Sequence, residues 1–594
     1  MKKQLILSAF LAVCMGANAV PAKKGVKKPI RLVDGTTVLA ELRGDEFGSC
    51  WLAEDGRVFF LDPELRAFRE INPVVFARKA IARRSLADKA RVARRVSGPR
   101  AALGGDHLDY KGKKKGIIIL AQYQDKKFRA NHDLNYYQNL ANQKGFTTVY
   151  GHVGSVSDYF LSQSNGQFEL DFDVVGPVTL PKNYAYYGAH TKEGANDAHA
   201  GTMVAQACKL ANEQFDVNFA DYDWDGDGEV EQVYVLYAGQ GEAAGGDENT
   251  VWPHEYSLQY SDYGTPIKLD GVTVDTYACG SEQSVSVVYN YITGTYKLNE
   301  YPDGIGTICH EFSHCLGFPD MYDTSYSNWY GMGSWDVMCS GSYNGDGRGY
   351  RPANYTAWER MYAGWLQPTV LDKPTTVKGM RPSSQYGQTF IVYNDNHKDE
   401  YYLLENRQQE GKWESALPGS GLMVTHVDYS PILWAHNDVN TPADYSSKYG
   451  DKYKDWDNDH QRCTIFHADN RSGTNDENAD LYPSAGNNQL TDTSTPSAML
   501  YNALANGVKL MGKPITNITQ NADGSIDFDF MGGSADNVID FTTGILELRN
   551  DTNKYYDKSV FTLDGQKIND DINQINLHGT FIVRHGNKAY KVLK

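Results

Sequence analysis

The run from His310 to Asp320 constrains the local fold of this chain more than any other stretch of its 594 residues. Its order is His310-Glu311-Phe-Ser-His314-Cys-Leu-Gly317-Phe-Pro-Asp320. Residues four positions apart lie on one face of an α-helix, so both imidazoles can bind one metal ion. Glu311 lies beside that face, where its carboxylate can act on a water molecule without binding the metal itself. For the pentapeptide alone, the alternative is an amphipathic helix with histidines on its surface.

The residues after the second histidine predict the third ligand. Gly317 allows the positive φ that ends a helix sharply and turns the chain back toward the metal. Neither His nor Glu occurs again before position 359, so a nearby third ligand must be an aspartate. Asp320 has the spacing expected after the glycine turn, and Asp323 and Asp336 are its rivals. The pattern therefore predicts a zinc site that keeps one position open for water, with the ligands His310, His314 and Asp320.

A methionine follows this run in the sequence Gly333-Ser-Trp-Asp-Val-Met338. A methionine on a tight turn below the metal ligands is the second element of metzincin-like sites. We therefore predict that Met338 forms such a turn, although core packing is the ordinary role of a single methionine.

Together these motifs resemble the immune inhibitor A-like family of secreted zinc metalloproteases, which shares the pattern HExxHxxGxxD and a following methionine turn. The resemblance extends over about residues 30–530 and is strongest over 116–366. Three further stretches resemble that family: 221–239, 358–366 and 418–428. The resemblance implies a zincin-type fold, a removable propeptide, zinc on His310, His314 and Asp320, and Glu311 as the general base.

The first residues have the pattern of a secretory signal. Lys2 and Lys3 precede an apolar run, and Ala17-Asn18-Ala19 matches an A-x-A cleavage site. That run is too short to cross a membrane, and no later stretch reaches about 18 apolar residues. We therefore expect residues 1–19 to be a signal peptide and the protein to be secreted or exposed on the outer cell surface.

Charge separates the next segment from the remainder of the chain. The whole chain carries a net charge of -17, yet residues 20–115 hold 22 Lys and Arg against 12 Asp and Glu. No aromatic-interleaved binding motif accompanies this basic charge, so nucleic acid is not an expected partner. We predict a propeptide over 20–114, which is β-rich over 30–75 and is followed by an exposed basic linker suited to processing. One interpretation of the charges is a pro-segment held partly by charge to the acidic domain that it inhibits, and the alternative is two independently solvated surfaces.

The pattern of apolar residues predicts three further units. Apolar runs at 117–120 and 233–237 and helical spacing over 196–215 predict an α+β zincin-like or metzincin-like catalytic domain over 115–366. Short alternating strands predict a β-sandwich-type accessory domain over 367–532. Residues 536–594 predict a small β module that resembles bacterial sorting domains, which leaves surface attachment through the C-terminus open.

An acidic string precedes the second of these apolar runs and suggests calcium. Asp223, Asp225 and Asp227 alternate with other residues, Gly228 follows, and Glu231 lies further on. Alternating oxygen donors with a glycine suit a hard cation, but Tyr234 occupies the twelfth position, where an EF-hand has glutamate. An acidic turn held by its own side chains is the alternative.

The sequence favours a zinc-dependent endopeptidase that is made as a zymogen and hydrolyses proteins or peptides. The intact Glu311 argues against a surface adhesion protein with an inactive zincin domain, and the long prodomain argues against a zinc amidohydrolase. A tyrosine is a candidate to help hold the oxyanion. His254 and Tyr343 are further candidates to reach the substrate cleft, but we expect a structural role for both. Cys50 is a weaker hypothesis for a thiolate that blocks the metal in the precursor.

Overall fold

The computed structural model describes residues 20–72, 110–191, 195–290, 292–293, 295–324, 329–385, 387–473, 476–484, 486–542 and the strands of the last segment. The predicted signal peptide and most of the predicted basic linker lie outside the described residues. No helix in the described part of the chain is both long enough and apolar enough to span a membrane.

The first unit is an antiparallel meander whose strands follow one another in sequence order. The turns contain Gly35 and Gly56, with φ of +86° and +85°, conformations that glycine adopts without strain. This agrees with the β-rich unit expected over residues 30–75. The strands are β1 Lys27–Arg31, β2 Thr37–Asp45, β3 Gly48–Ala53, β4 Val58–Asp62 and β5 Ala67–Ile71.

The second unit is built on a six-stranded mixed sheet. Its strands are β6 Gly112–Gln122, β7 Phe168–Thr179, β8 Val233–Gln240, β9 His254–Ser257, β12 Thr276–Asn290 and β13 Thr295–Pro302. The order is β13-β12-β8-β6-β7, with β9 also paired to β12. The central pairings are parallel, whereas β13 and β9 run antiparallel to β12. A separate hairpin consists of β10 Ile267–Leu269 and β11 Val272–Val274.

Helices cover both faces of this sheet, which makes the unit mixed α/β. They are α1 Leu134–Asn142, α2 Val156–Gln163, α3 Tyr184–Gly188, α4 Ala200–Gln214, α5 Gly306–Ser313 and α6 Ala357–Tyr362. Alternate residues of β6 point to opposite faces. Ile117 packs in the cluster that contains Met203 of α4, and Ile118 in the cluster that contains Phe312 of α5. The helix with both histidines therefore lies across the sheet from α4.

Two sheets follow and share one hydrophobic core. The first contains β14 Thr369–Val370, β16 Thr389–Tyr393, β17 Glu400–Arg407, β18 Gly421–Asp428 and β19 Cys463–Ile465. The second contains β15 Thr375–Met380, β20 Ile515–Gln520, β21 Ile526–Phe530 and β22 Val538–Asp540. Two short helices lie in the same region, α7 Pro431–Ala435 and α8 Tyr445–Tyr449. Phe390 and Phe528 meet edge to face, with ring centroids 5.7 Å apart.

The last segment forms a four-stranded antiparallel sheet in the order β24-β23-β25-β26. Its strands are β23 Lys558–Phe561, β24 Lys567–Asn569, β25 Thr580–His585 and β26 Lys588–Leu593. A role for this sheet in sorting stays a prediction.

The core around helix α5 does not stop at residue 366. Phe312 and Met338 belong to the same buried cluster as Leu403 of β17 and Met423 of β18. The sheet after residue 367 therefore supports the helix that carries the histidines. The domain boundaries drawn from the sequence stay predictions.

Arg407 ties this sheet to the loop in front of Met338. It is buried, and its guanidinium donates to Glu405 at 2.9 Å, to Glu414, and to the carbonyl of Trp335 at 2.9 Å. A buried guanidinium between two carboxylates keeps both of their charges compensated. The contact with Trp335 fixes the entry of the loop that leads to Met338.

Replacing Arg407 with methionine should therefore destabilise the protein strongly, because it leaves two buried carboxylates without their cation. We expect the Arg407→Met variant to lose about 3–5 kcal/mol of unfolding free energy, seen as a lower urea midpoint. The matched control is Arg57→Met, which removes an exposed arginine that pairs with Asp55 at 2.7 Å and should leave the midpoint unchanged. Equal midpoints for the two variants would contradict the role given to Arg407.

Candidate metal centre

Helix α5 presents His310, and the 3₁₀ turn His314–Leu316 that continues it presents His314. The helix ends as the sequence predicts, because Gly317 adopts a φ of +85° and its N–H bonds to the carbonyl of His314. A Cβ at Gly317 would also lie 3.0 Å from the hydroxyl of Tyr362. Gly317 therefore serves both the turn and the packing.

Both histidine rings are oriented by backbone carbonyls. His310 Nδ1 lies 2.8 Å from the carbonyl of Val337, and His314 Nδ1 lies 2.7 Å from the carbonyl of Phe318. A carbonyl only accepts, so each Nδ1 must carry the hydrogen. In the neutral ring each Nε2 then keeps its lone pair, which is the form in which histidine binds a metal.

Asp320 completes the cluster, as the sequence predicts. Its Oδ1 lies 3.1 Å from His310 Nε2 and 3.5 Å from His314 Nε2. Burial by itself raises the pKa of this carboxyl, whereas the protonated forms of His310 and His314 would hold the pKa below its usual range, so a positive charge between these groups stabilises the carboxylate. The rivals lie elsewhere: Asp336 accepts from the N–H of Met338, and Asp323 accepts from the N–H of Trp329.

The donor set fits a zinc ion. Two ring nitrogens with lone pairs face one carboxylate oxygen inside a fully buried site, and three such acceptors repel one another unless a cation joins them. Two imidazoles and one carboxylate form a donor set that zinc takes in catalytic sites. The residues that would hold zinc are His310, His314 and Asp320.

Asn437, from the region after residue 367, fixes the orientation of Asp320. Its side-chain amide donates to Asp320 Oδ2 at 2.6 Å, and its carbonyl oxygen accepts from the N–H of Asp320 at 2.6 Å. Asn437 has a φ of +61°, which asparagine tolerates better than most residues. No local motif marks this residue, and it lies 117 positions from its partner, so the sequence did not indicate it.

Glu311 lies beside the cluster and contacts the start of the described chain. Its Oε1 accepts from the backbone nitrogen of Val20 at 2.7 Å, and its backbone carbonyl accepts from Gln232. Val20 is buried, and its own carbonyl accepts from the indole of Trp252 at 3.0 Å. The sequence did not predict that the residue after the A-x-A pattern would meet this glutamate.

Three other residues were singled out from the sequence as candidates for the cleft or for inhibition of the precursor. Tyr343 donates its hydroxyl to the carbonyl of Pro21 at 2.8 Å. His254 bonds to the carbonyl of Trp252 and to the hydroxyl of Tyr277, a satisfied structural position. Cys50 lies buried in β3, where burial raises the pKa of its thiol to about 12, and it is not part of the metal cluster.

Met338 lies on a tight loop under the histidines. Its N–H donates to Asp336 Oδ1 at 2.9 Å, and its carbonyl accepts from the N–H of Met321 at 2.8 Å. The preceding carbonyl, that of Val337, is the one that orients His310. The loop therefore touches the site through its backbone, as a methionine turn would.

The acidic string expected to bind calcium comes together in part. Asp223, Asp225 and Glu231 bring carboxylate oxygens within 4.8 Å of one another, whereas Asp227 is not in the group. Asp223 accepts from the N–H groups of Gly226 and Gly228, so the loop is also a self-capped turn. Burial raises the pKa of Glu231 to about 8. Calcium at this loop stays a prediction.

The geometry defines a class of site: two neutral imidazoles and a carboxylate around one point, with a second carboxylate beside them. Residues 108–367 match the family model described as the immune inhibitor A peptidase M6 catalytic domain. This match confirms the family resemblance that the motifs indicate.

Two relatives show the same similarity. The pre-pro-metalloprotease PrtV of Vibrio cholerae serotype O1 (strain M66-2) is 27% identical over 252 residues, 38% of this chain and 26% of PrtV. The immune inhibitor A of Bacillus thuringiensis subsp. alesti is 26% identical over 324 residues, 48% of this chain and 45% of that protein. The chain thus spans less than half the length of these relatives.

Removing the amide of Asn437 should weaken zinc binding, because Asp320 then loses both bonds that orient it. For the Asn437→Gly variant, which keeps the left-handed backbone, we expect the zinc Kd to rise about 10–100-fold in a chelator competition. Asn470→Gly is the control, because Asn470 is exposed and has a φ of +60°. An unchanged Kd in Asn437→Gly would show that Asp320 needs no such support.

Proposed function

We propose that this protein is a secreted zinc-dependent endopeptidase that is made as a zymogen and hydrolyses peptide bonds in proteins. The observation that carries the proposal is the convergence of His310, His314 and Asp320 beside the carboxylate of Glu311. The similarity to PrtV, named a metalloprotease, supports the same class of reaction.

His310, His314 and Asp320 would hold the zinc ion, which when bound supplies Lewis-acid polarisation of the water and the scissile carbonyl. Glu311 would take the proton from the attacking water and deliver it to the leaving amine. Its Oε1 already lies 2.7 Å from a backbone nitrogen, that of Val20, so it can meet the nitrogen of a leaving group. The hydroxyl of Tyr343 donates to a carbonyl of the same segment and is a candidate donor to substrate.

The zymogen proposal rests on the segment that begins at Val20. If the signal is cleaved after Ala19, as the A-x-A pattern predicts, the nitrogen on Glu311 is a free amino group. A buried ammonium beside a buried carboxylate forms a charged pair, which is stronger than a neutral hydrogen bond. Val20 and Pro21 would then keep substrate out until the segment is removed.

The two rival functions differ in measurable ways. An adhesion protein with an inactive zincin domain would not need Glu311, and an amidohydrolase would cleave cell-wall peptides and leave casein intact. The proposal has three further parts: secretion, surface attachment through the last β module, and calcium binding by Asp223, Asp225 and Glu231. They rest on the sequence patterns and on the acidic loop described above.

Replacing Glu311 with glutamine should abolish peptide hydrolysis and leave zinc binding intact, because the residue is a base and not a ligand. We expect casein cleavage by protein that begins near Lys115 to fall at least about a hundredfold, with one zinc per chain retained. Glu213→Gln, an exposed position on α4, is the control. A folded, zinc-loaded wild type that leaves casein and gelatin uncut would contradict the protease proposal.

Weakening the contact of Val20 should activate the precursor without processing. Val20 is 1% exposed, and burial of a valine contributes about 1.5–3 kcal/mol. Val20→Arg should therefore weaken binding of the N-terminal segment to the cleft about tenfold to a hundredfold. We expect cleavage of a fluorogenic peptide by this precursor to rise by a similar factor. Val33→Arg, at a valine that is 45% exposed, should leave the precursor latent. Equal latency in both variants would argue against inhibition by this segment.

A further inference from the structure

The segment that begins at Val20 runs through the site in a definite direction. Its nitrogen lies on Glu311, and the carbonyls of Val20 and Pro21 accept from the indole of Trp252 and the hydroxyl of Tyr343. Two residues further on, the N–H of Lys23 donates to the carbonyl of Ala243 at 2.9 Å. Main-chain groups of Val20, Pro21 and Lys23 are therefore held by the unit that carries the metal cluster, whereas the N–H of Ala22 donates to the carbonyl of Gly44 in β2 at 2.8 Å.

This direction is that of a cleaved product. Hydrolysis gives the residue after the cut a new amino group, and the general base delivers a proton to it. Under the proposed function, a nitrogen on Glu311 marks the first residue after the cut. Val20 then occupies the place of that first residue, and Lys23 occupies the place of the fourth.

Lys23 extends its side chain into a largely closed pocket. Its Nζ donates to the carbonyl of Val285 at 3.1 Å, and a Cβ at Gly347 would lie 3.1 Å from its Cε. Burial lowers the pKa of Lys23 to about 8, and the field of Asp303 acts in the opposite direction. The contacts named here come from residues 285–348, so they remain when the N-terminal segment leaves.

Asp303 is an acidic group whose field acts on Lys23. Its carboxylate accepts from the hydroxyl of Thr307 at 3.1 Å, one turn before His310 on helix α5. Burial raises the pKa of Asp303 to about 7, while Thr307 and Lys23 hold it down. Arg348, which stacks 3.5 Å above the ring of Tyr301, is the nearby cation that opposes Lys23. A partly buried carboxylate with few hydrogen-bond donors favours a nearby cation.

The next residue of the segment also meets an acidic group. Lys24 Nζ lies 3.6 Å from Glu477 Oε1, a residue of the region after 367. Glu477 is only 10% exposed and also accepts from Ser334 and Tyr330. On the same side of the cut, Lys24 therefore pairs with Glu477, and Lys23 lies in the field of Asp303.

We infer that the pocket of Asp303 and Val285 is a substrate subsite that selects a lysine side chain at the fourth residue after the cleaved bond. The inference rests on the proposed function and adds to it a basic preference on the leaving-amine side. In the precursor the pocket is filled by Lys23, and in the processed enzyme the lysine of a substrate takes its place.

The test uses full chain processed by limited proteolysis in the basic segment and freed of the N-terminal segment by gel filtration. Three fluorogenic peptides differ only in the fourth residue after the cut: lysine, methionine or glutamate. We expect kcat/KM to be about tenfold higher for lysine than for methionine, and lowest for glutamate. In Asp303→Asn, which keeps an acceptor for Thr307, the lysine and methionine peptides should differ by less than about twofold.

Asp346→Asn is the matched control. Asp346 precedes Gly347, is exposed, and has a φ of +58°, which asparagine also adopts. This variant should keep the full preference for lysine. The same ranking of peptides in Asp303→Asn as in wild type, or no ranking in wild type, would overturn the inference. The ranking in wild type does not depend on whether Asp303→Asn folds.

A binding measurement separates this inference from the proposed function. The peptide Val-Pro-Ala-Lys-Lys-Gly and its version with methionine at the fourth position are titrated calorimetrically into the processed protein. If no peptide is cleaved, the proposed function fails, but about tenfold tighter binding of the lysine peptide would still support the pocket. Equal binding of both peptides would show that Lys23 has only a structural role, in packing the N-terminal segment against the unit that carries the metal cluster.

Discussion

Three electron-pair donors converge in a buried place, and much of the described structure supports that convergence. His310 Nε2, His314 Nε2 and Asp320 Oδ1 lie within 4.8 Å of one another. Such an arrangement is stable only if other groups hydrogen-bond to each ligand and fix its orientation, or if a metal ion binds between the three donor atoms. The carbonyls of Val337 and Phe318 hold the two rings, and Asn437 holds the carboxylate. These supports come from three separate loops, which the shared core and the buried Arg407 keep in place.

The part of this site that the sequence predicts is the part that depends on neighbours in the chain. Helical periodicity puts His310 and His314 on one face, and Gly317 needs only its own φ to turn the chain toward Asp320. The apolar runs of β6 and β8 are equally local, so the mixture of strands and helices in this unit, expected as an α+β domain, was predictable. Asn437 and Trp252 were not, because their partners are 117 and 232 residues away.

Charge was a weaker guide than geometry. The excess of Lys and Arg over 20–115 suggested a segment held by charge, but the lysines divide in the structure. Lys28 is buried, its Nζ donates to the carbonyl of Gly246, and acidic groups of the same region, among them Glu248 and Glu242, act on its charge. Lys27 pairs with Glu54 of its own sheet. The contact with Glu311 comes from a backbone nitrogen, which no count of charged residues reveals. The acidic string comes together in part, since Asp223, Asp225 and Glu231 form a group that does not include Asp227.

The groups that bind the N-terminal segment can also bind substrate, because latency and substrate binding both require a peptide main chain at the same position in the cleft. Trp252 and Tyr343 each have one donor, and in the described structure each donor meets a carbonyl of Val20 or Pro21. Loss of that segment would leave two largely buried donors without an acceptor, which is unfavourable until another peptide supplies one. A peptide that enters in the same direction restores both bonds and brings its nitrogen to Glu311. Main-chain contacts that hold the N-terminal segment in the precursor are equally available to any peptide that enters the emptied cleft. Discrimination between substrate sequences must therefore come from side-chain pockets such as the one at Asp303.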